Sequence, residues 1–276
     1  MSKNKEGDFF QLVRELTTLN YSRKTVKSYI FYNRQLLSHS KKSAKAINTE
    51  DIKQYLGRLS KEKSPSTVSV ALNAIQFYYK NILKRSFFLH IRHPKKKSKL
   101  PTVLSTGEVK KILSVVRNPK HSCIISLLYG TGIRVSELVK IKIKDIDFDR
   151  NILHIRQGKG NKDRLAILPA KLLEILKTQA RVKSANDYLF TNGRGYCLTT
   201  RTIAKVVKNL AVSAGISKNV SPHSFRHSFA THLLESGTDI RHIQELLGHA
   251  KLETTQGYTK VATNNIQKIK SPLDSI

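Results

Sequence analysis

One tyrosine and the cationic side chains around it mark where this sequence could do chemistry. In SPHSFRHSFATHLLESGTDIRHIQELLGHAKLETTQGYTKV, Ser221 to Val261, His223 and Arg226 stand three apart, His249 follows a Leu-Gly pair, and Tyr258 comes nine residues later. A phenol has a pKa of roughly 10, so a nucleophilic tyrosine needs help to lose its proton and a substrate whose developing charge can be held. A phosphodiester is such a substrate. Attack at phosphorus builds negative charge on the non-bridging oxygens, and a guanidinium hydrogen-bonds two oxygens at once where a lysine acts as a point charge. Arg226 and Arg134, the latter in GTGIRVSEL, are the candidates for that role. His223 and His249 suit hydrogen bonding to the phosphate or proton transfer near neutral pH, and Lys159, in GKGNKDR, suits protonation of a leaving 5′ oxygen. This chemistry needs no cofactor and no metal.

Taken singly, each of these residues has an ordinary alternative. A lone arginine is usually a surface cation, a lysine in a Gly-rich turn is usually solvated, and a tyrosine is usually a packed aromatic. His227 and His232 are expected to be structural. His223 and His227, four apart, have a spacing seen in zinc sites, yet no glutamate follows His223 as in HExxH and no compact third ligand is evident.

The elements that must carry these side chains are mainly helical. DFFQLVRELTTL, SRKTVKSYIFYNRQLLSHS, TEDIKQYLGRLS with Thr49 as its N-cap, and SPSTVSVALNAIQFYYKNIL with Pro65 in its first turn predict four helices between residues 8 and 84. HIRHPKKKSKLPTV then breaks the periodicity with two prolines and a lysine run, which predicts an extended basic linker. Ser105 and Glu108 have capping-box spacing ahead of a further helix. CIISLLYGTGIRVSELVKI predicts an apolar helix, a Gly-Thr-Gly turn and a second helix start, so that Arg134 sits just past the turn. NILHIRQGKGNKDRLAILP predicts a hairpin with alternating apolar residues on each arm and Lys159 on a mobile, exposed tip. Helices follow at about 170 to 183 and 199 to 214. Pro222 opens another, in which His223, Arg226 and His227 share one face.

The expected organisation is therefore an N-terminal helical domain over 1–88, a basic linker over 89–104 and a C-terminal α+β domain over 105–276 ending in a tail helix. The 276 residues carry 50 Lys plus Arg against 19 Asp plus Glu, a formal net charge of +31. That excess predicts a polyanionic partner. It is spread along the chain: residues 1–100 hold 22 basic and 6 acidic side chains, and residues 101–276 hold 28 and 13. Both parts are expected to touch the anion. Cys123 and Cys197 lack CxxC spacing, which argues against a disulfide framework or zinc knuckle and predicts two buried small apolar residues. No signal peptide is visible, and no stretch approaches the roughly 20 apolar residues of a membrane span. A soluble, cytoplasmic protein without membrane partners is expected.

GTGIRVSEL, GKGNKDR, SPHSFRHSFATHLL and ELLGHAKLETTQGYTKV, taken in this order, resemble the tyrosine recombinases (phage integrase family), and among them the Xer group that resolves chromosome dimers. The resemblance covers residues 104 to 272 and extends more weakly to the N-terminal helices. It implies an N-terminal four-helix core-binding domain of the SAM-like kind and a mainly helical catalytic domain with a small sheet. Residue by residue, it implies that Arg134 is the first catalytic arginine, Lys159 the general acid, His223 and Arg226 the His-x-x-Arg pair, His249 the histidine after Leu-Gly, and Tyr258 the nucleophile. It further implies a 3′-phosphotyrosyl intermediate made without ATP or metal, double-stranded DNA with a dif-like site as substrate, and a cyclic tetramer on two sites linked by the C-terminal tail. A septal DNA translocase or a paralogous recombinase are further partners it admits.

Within this frame Glu137 is a candidate to orient Arg134, and Lys95, Lys96 and Lys97 are expected to neutralise phosphates. Gly257 departs from the bulkier residue expected before the tyrosine. Glycine there loosens a helix by about 1 kcal/mol, so the tyrosine segment is expected to reposition easily. Unchanged cleavage and strand exchange in Gly257→Ala would count against this. The amphipathic stretch Ala262 to Ile269 is too short to be stable alone and is expected to dock on a partner surface or on its own chain. A mobile-element integrase shares every motif; helices beginning near Asp8 leave no arm-binding extension and favour the simpler recombinase. A relaxing topoisomerase and a non-catalytic architectural DNA-binding protein are the other readings.

Overall fold

The computed structural model describes residues 9–85, 92–94, 100–156, 163–248 and 255. It divides the chain into two compact units, Met1–Ser98 and Lys99–Ile276.

The first unit is all helical, with α1 (Phe10–Thr18), α2 (Arg23–Ser40), α3 (Thr49–Glu62) and α4 (Pro65–Phe77). Leu12, Leu16, Leu36, Ile52, Leu72 and Ile75 are buried at helical spacing and form its centre. Ser22 and Ser64 cap α2 and α4 by accepting the Thr25 and Thr67 amides. The expected cap of α3 is corrected by one residue. Asn48 is the N-cap, its Oδ1 accepting the Asp51 amide at 2.9 Å while Asp51 Oδ2 accepts the Asn48 amide at 2.9 Å, so the acidic residue in the first turn closes the box there and leaves Thr49 inside the helix. The fourth helix also ends sooner than its apolar run suggests: α4 gives way to a π-turn over Tyr78–Ile82, which buries both Tyr78 and Tyr79. Asn33, fully buried in α2, donates to the Tyr29 and Ala74 carbonyls and so staples α2 to α4.

The second unit is built around α6 (Pro119–Thr131), whose Cys123, Ile124, Ile125, Leu127 and Leu128 are all buried. A helix apolar on so much of its surface must be central. It packs against α5 (Thr106–Ser114), α8 (Ala170–Ala180), α9 (Thr200–Ser213) and α10 (Pro222–Glu235). The Ser105–Glu108 capping box opens α5 as expected. Leu104, just ahead of it, is buried and donates its amide to Ser228 Oγ of α10 at 2.8 Å. Cys197 is only half-buried, unlike Cys123, because it lies in a loop bridge opposite Thr191 and not in the core helix.

A three-stranded antiparallel sheet, β1 (Ile146–Asp147), β2 (Ile152–Ile155) and β3 (Arg164–Ile167), lies in the order β1-β2-β3. β2 and β3 are the two arms of the expected hairpin, with Ile155 opposite Arg164; the tip at 157–162, with Lys159, lies outside the described residues. β1, two residues long, is too short to leave an alternation in the sequence. The apolar alternation of β3 runs opposite to expectation. Leu165 and Ile167 are 52% and 65% exposed, whereas Arg164 and Ala166 face inward. Among the described residues no helix is long and apolar enough to cross a membrane.

Candidate active site

The core helix α6 ends at Gly132, whose φ of 59° is left-handed, and the chain turns into a single helical turn, α7 (Val135–Leu138), with Arg134 as its N-cap. The expected Gly-Thr-Gly turn thus narrows to Gly132, because Gly130 and Thr131 remain helical. A Cβ on Gly132 would stand 2.4 Å from Phe229 Cδ1 and 2.9 Å from Leu247 Cδ2, so glycine serves both the backbone angle and a close approach.

Arg134 donates from Nη1 to Glu137 Oε1 at 2.7 Å and from Nη2 to the Gly248 carbonyl at 3.1 Å. Its backbone amide reaches Glu137 Oε2 at 2.9 Å. Glu137 therefore orients Arg134 as expected, and it does so from a buried position. Burial pulls its carboxyl upward, but Arg164 and the amide and side chain of Arg134 hold it below the usual carboxylate range.

Arg226, in the first half of α10, is 4% exposed. It spans two elements, donating to the Gly132 carbonyl and to the Leu247 carbonyl, each at 2.6 Å. Leu247 closes α11 (Ile240–Leu247), which rests on Ala230, Phe229 and Leu233 of α10. His223 lies one turn before Arg226 on the same helix, exposed, its ring 6.5 Å from that of His227. Partial withdrawal from water, together with Arg226 and Arg134, lowers the pKa of His223. The neutral ring is thus its form at pH 7, with one nitrogen open to accept a proton.

His227 is pushed down to about 4 by burial, His223 and Arg226. Its folded pKa lies below the unfolded value of roughly 6.5, so the unfolded chain binds the extra proton first, and the stability this histidine contributes is complete above pH 6.5 and lost as pH falls towards 4. Urea unfolding at pH 7 and pH 4.5 is expected to show an acid loss smaller in His227→Gln than in the native chain, by on the order of 1 kcal/mol after solvent screening of this partly exposed ring. An equal loss in both would remove His227 as the cause. His232 is tied to the core, its Nδ1 lying 2.9 Å from the Tyr129 hydroxyl of α6.

One residue of the cluster was not legible as a site residue. Arg164, at the start of β3, donates from Nη2 to Glu137 Oε2 at 2.8 Å and from Nη1 to the Leu246 carbonyl. The signal available was a charged residue on the same strand face as Ala166, which turns out to be the buried face. Three guanidinium groups from three elements therefore end on three consecutive carbonyls: Arg164 of β3 on Leu246, Arg226 of α10 on Leu247 and Arg134 of α7 on Gly248. Those are the carbonyls at the C-terminus of α11, unpartnered within the helix and at the negative end of its dipole. Among the described residues of the cluster one carboxylate, Glu137, stands against three guanidiniums, which leaves them a surplus of positive charge. Such a surplus of planar, fixed donors suits a phosphoryl group. Among the described residues no group of three or more His, Cys, Asp or Glu is arranged to hold a metal ion.

The structure thus brings Arg134, Arg226 and His223 to one place. Lys159, His249 and Tyr258 lie outside the described residues, as do Lys95, Lys96 and Lys97 and the tail from 256 to 276.

Comparison with known proteins places this geometry. Residues 102–265 match the model of the phage integrase family, and residues 9–87 match that of the phage integrase N-terminal SAM-like domain. The chain is 38% identical over 252 residues to the tyrosine recombinase XerA of Pyrococcus horikoshii, covering 90% of this chain and 86% of the relative. It is 37% identical over 278 residues to the tyrosine recombinase XerD of Oceanobacillus iheyensis, covering 92% of each. Among solved structures it resembles the XerH site-specific recombinase bound to a palindromic difH substrate in a post-cleavage complex, with a TM-score of 0.73, 26% identity, and coverage of 90% of this chain and 80% of that one.

Proposed function

We propose, because this chain belongs to the phage integrase family and is a tyrosine site-specific recombinase of the Xer type, that it resolves chromosome dimers at a dif-like site through a 3′-phosphotyrosyl intermediate. The observation that carries the proposed chemistry is the convergence of Arg134 and Arg226, with His223 beside them, on the exit of α11. From that exit the chain runs on to His249 and Tyr258.

In this reading the scissile phosphate takes hydrogen bonds from Arg134 and Arg226, which hold the charge that grows on its non-bridging oxygens. The Tyr258 oxygen attacks phosphorus, and its proton passes to a neutral ring nitrogen, for which His223 is suited. The bond from phosphorus to the 5′ oxygen breaks, and Lys159 gives that oxygen a proton. His249 hydrogen-bonds the phosphate. The phosphotyrosyl ester keeps the energy of the broken linkage, so the 5′ hydroxyl of a partner duplex reverses the step on a new strand, with no nucleotide cofactor consumed. The XerH relative's complex with difH supports DNA as the substrate.

Resolution needs two duplexes, and the proposed assembly is a cyclic tetramer joined by the tail after Tyr258. The proposed setting is the cytoplasm, with a septal DNA translocase or a paralogous recombinase as partner.

The reading is tested by denaturing cells that express a tagged chain, sequencing the DNA that stays covalently attached, and placing two copies of the recovered sequence on one plasmid. One chromosomal locus of inverted-repeat character, and a plasmid dimer reduced to monomers, is the expected result. Recovery of mobile-element ends would replace dimer resolution by integration.

The lysine run belongs to the binding side of the same proposal. Replacing Lys95, Lys96 and Lys97 by alanine should reduce the slope of log K against log salt by about 1 to 3, at roughly 0.9 for each phosphate no longer neutralised, and leave the preference among DNA sequences intact. Fluorescence anisotropy across a salt series reads both, and an unchanged slope would exclude these lysines from the interface.

A further inference from the structure

Arg164 has the marks of a group held for a purpose other than packing. Its side chain is 8% exposed, at the first position of β3, where the inward-facing neighbour is the small Ala166. It shares Glu137 with Arg134, each guanidinium holding one carboxylate oxygen. It also takes the Leu246 carbonyl, next to the carbonyls that receive Arg226 and Arg134. Its Nε is buried with no acceptor among the described residues, a cost that an aliphatic residue at this position would avoid.

The backbone around it is adapted to the guanidinium. Gly248, at φ 62°, ends α11, and a Cβ there would stand 2.6 Å from Arg164 Cδ. The direction in which the chain leaves α11 and the placing of Arg164 therefore depend on each other. β3 is the return arm of the hairpin, and Arg164 follows Lys159 by five residues. One side chain thus touches the supports of three site elements: Glu137 behind Arg134, the end of α11, and the base of the hairpin.

We propose that Arg164 is a positioning residue for strand cleavage, setting the orientation of Arg134 through Glu137 and the exit of α11 through the Leu246 carbonyl. The proposal rests on the reading of Arg134 as the phosphate-holding arginine. The two guanidiniums and the Arg134 amide together fix the Glu137 carboxylate, and losing Arg164 leaves Oε2 to the amide alone, so that the carboxylate and the Arg134 guanidinium bound to it shift from their native orientation. Lysine at 164 would keep the charge beside Glu137 but, as a single point, would not hold Glu137 and Leu246 in the same geometry.

The test compares Arg164→Gln, Arg164→Lys and Arg134→Ala in the full chain, on two nicked suicide duplexes carrying the target site. One duplex has the natural scissile phosphodiester, and the other has an uncharged methylphosphonate there. Both Arg164 variants are expected to bind the duplex within about threefold of the native chain. At saturating DNA they should cleave the natural linkage more slowly, by about 10- to 100-fold, a fraction of what loss of a direct charge-stabilising donor costs. On the neutral linkage, which no longer calls for a fixed cation, the deficit of the Arg164 variants should shrink by about tenfold, in parallel with that of Arg134→Ala. Thermal unfolding in the same buffer separates misfolding from mispositioning, and Arg164→Lys is the variant expected to stay folded. Native cleavage rates in both Arg164 variants, or a deficit equal on the two linkages, would overturn the proposal. A native rate in Arg134→Ala would instead overturn the reading on which it rests.

Discussion

Replacing Arg226 by alanine is expected to slow cleavage of a pre-bound suicide duplex by at least about 10³-fold, the scale on which one preorganised charge-stabilising donor acts. The buried guanidinium holds the Gly132 and Leu247 carbonyls together, so it fixes α11 against the turn that presents Arg134. Alanine would leave both carbonyls without this donor, at about 1–3 kcal/mol each, and the variant is expected to be visibly less stable. Arg226→Lys separates the two roles. It keeps a cation but offers no fork, and should recover stability while cleaving at least about 10²-fold more slowly than the native chain. Single-turnover cleavage and urea unfolding on the same samples read the two effects. Cleavage within tenfold of native in the lysine variant would make Arg226 a structural staple and leave phosphate holding to Arg134.

Tyr258→Phe is expected to have the larger effect. The change deletes one oxygen and nothing else, so the shape of the side chain is retained while the nucleophile is gone. No covalent protein–DNA species should form on a suicide duplex over a time in which the native chain converts most of it, and binding to the intact site should stay within about twofold. A persisting adduct would move the nucleophile elsewhere. Loss of binding in proportion to loss of adduct would mean that the hydroxyl serves recognition and not attack.

Much of this arrangement was legible because local physics set it. Apolar stripes at helical spacing gave the helices, and the Ser105–Glu108 box caps α5 as its spacing implies, whereas the caps at Ser22 and Ser64 were found in the structure. Glycine and proline gave the breaks, so Arg134 falls at an N-cap and Pro222 in a first turn. The error at Asn48 is of the same local kind, two adjacent polar residues competing for one cap. What could not be read depends on partners far apart in the chain. Arg134 meets Gly248, Arg226 meets Leu247 and Arg164 meets Leu246 through backbone carbonyls, which carry no sequence signature. Arg164 was hidden further by Leu165 and Ile167, whose apolar character marks the wrong face of β3 as buried. Local pattern and tertiary position disagree there, and such disagreements gather at sites under functional constraint.

The central claim is that Tyr258 becomes esterified to DNA. The most direct measurement incubates the native chain with a suicide duplex, digests the denatured product with protease and nuclease, and identifies the modified residue by mass spectrometry. Attack by Tyr258 yields a single peptide, LETTQGYTK, carrying a 3′-linked nucleotide on Tyr258, with a free 5′ hydroxyl on the released strand. A nucleotide on any other residue, or attachment through a 5′ phosphate, would contradict it.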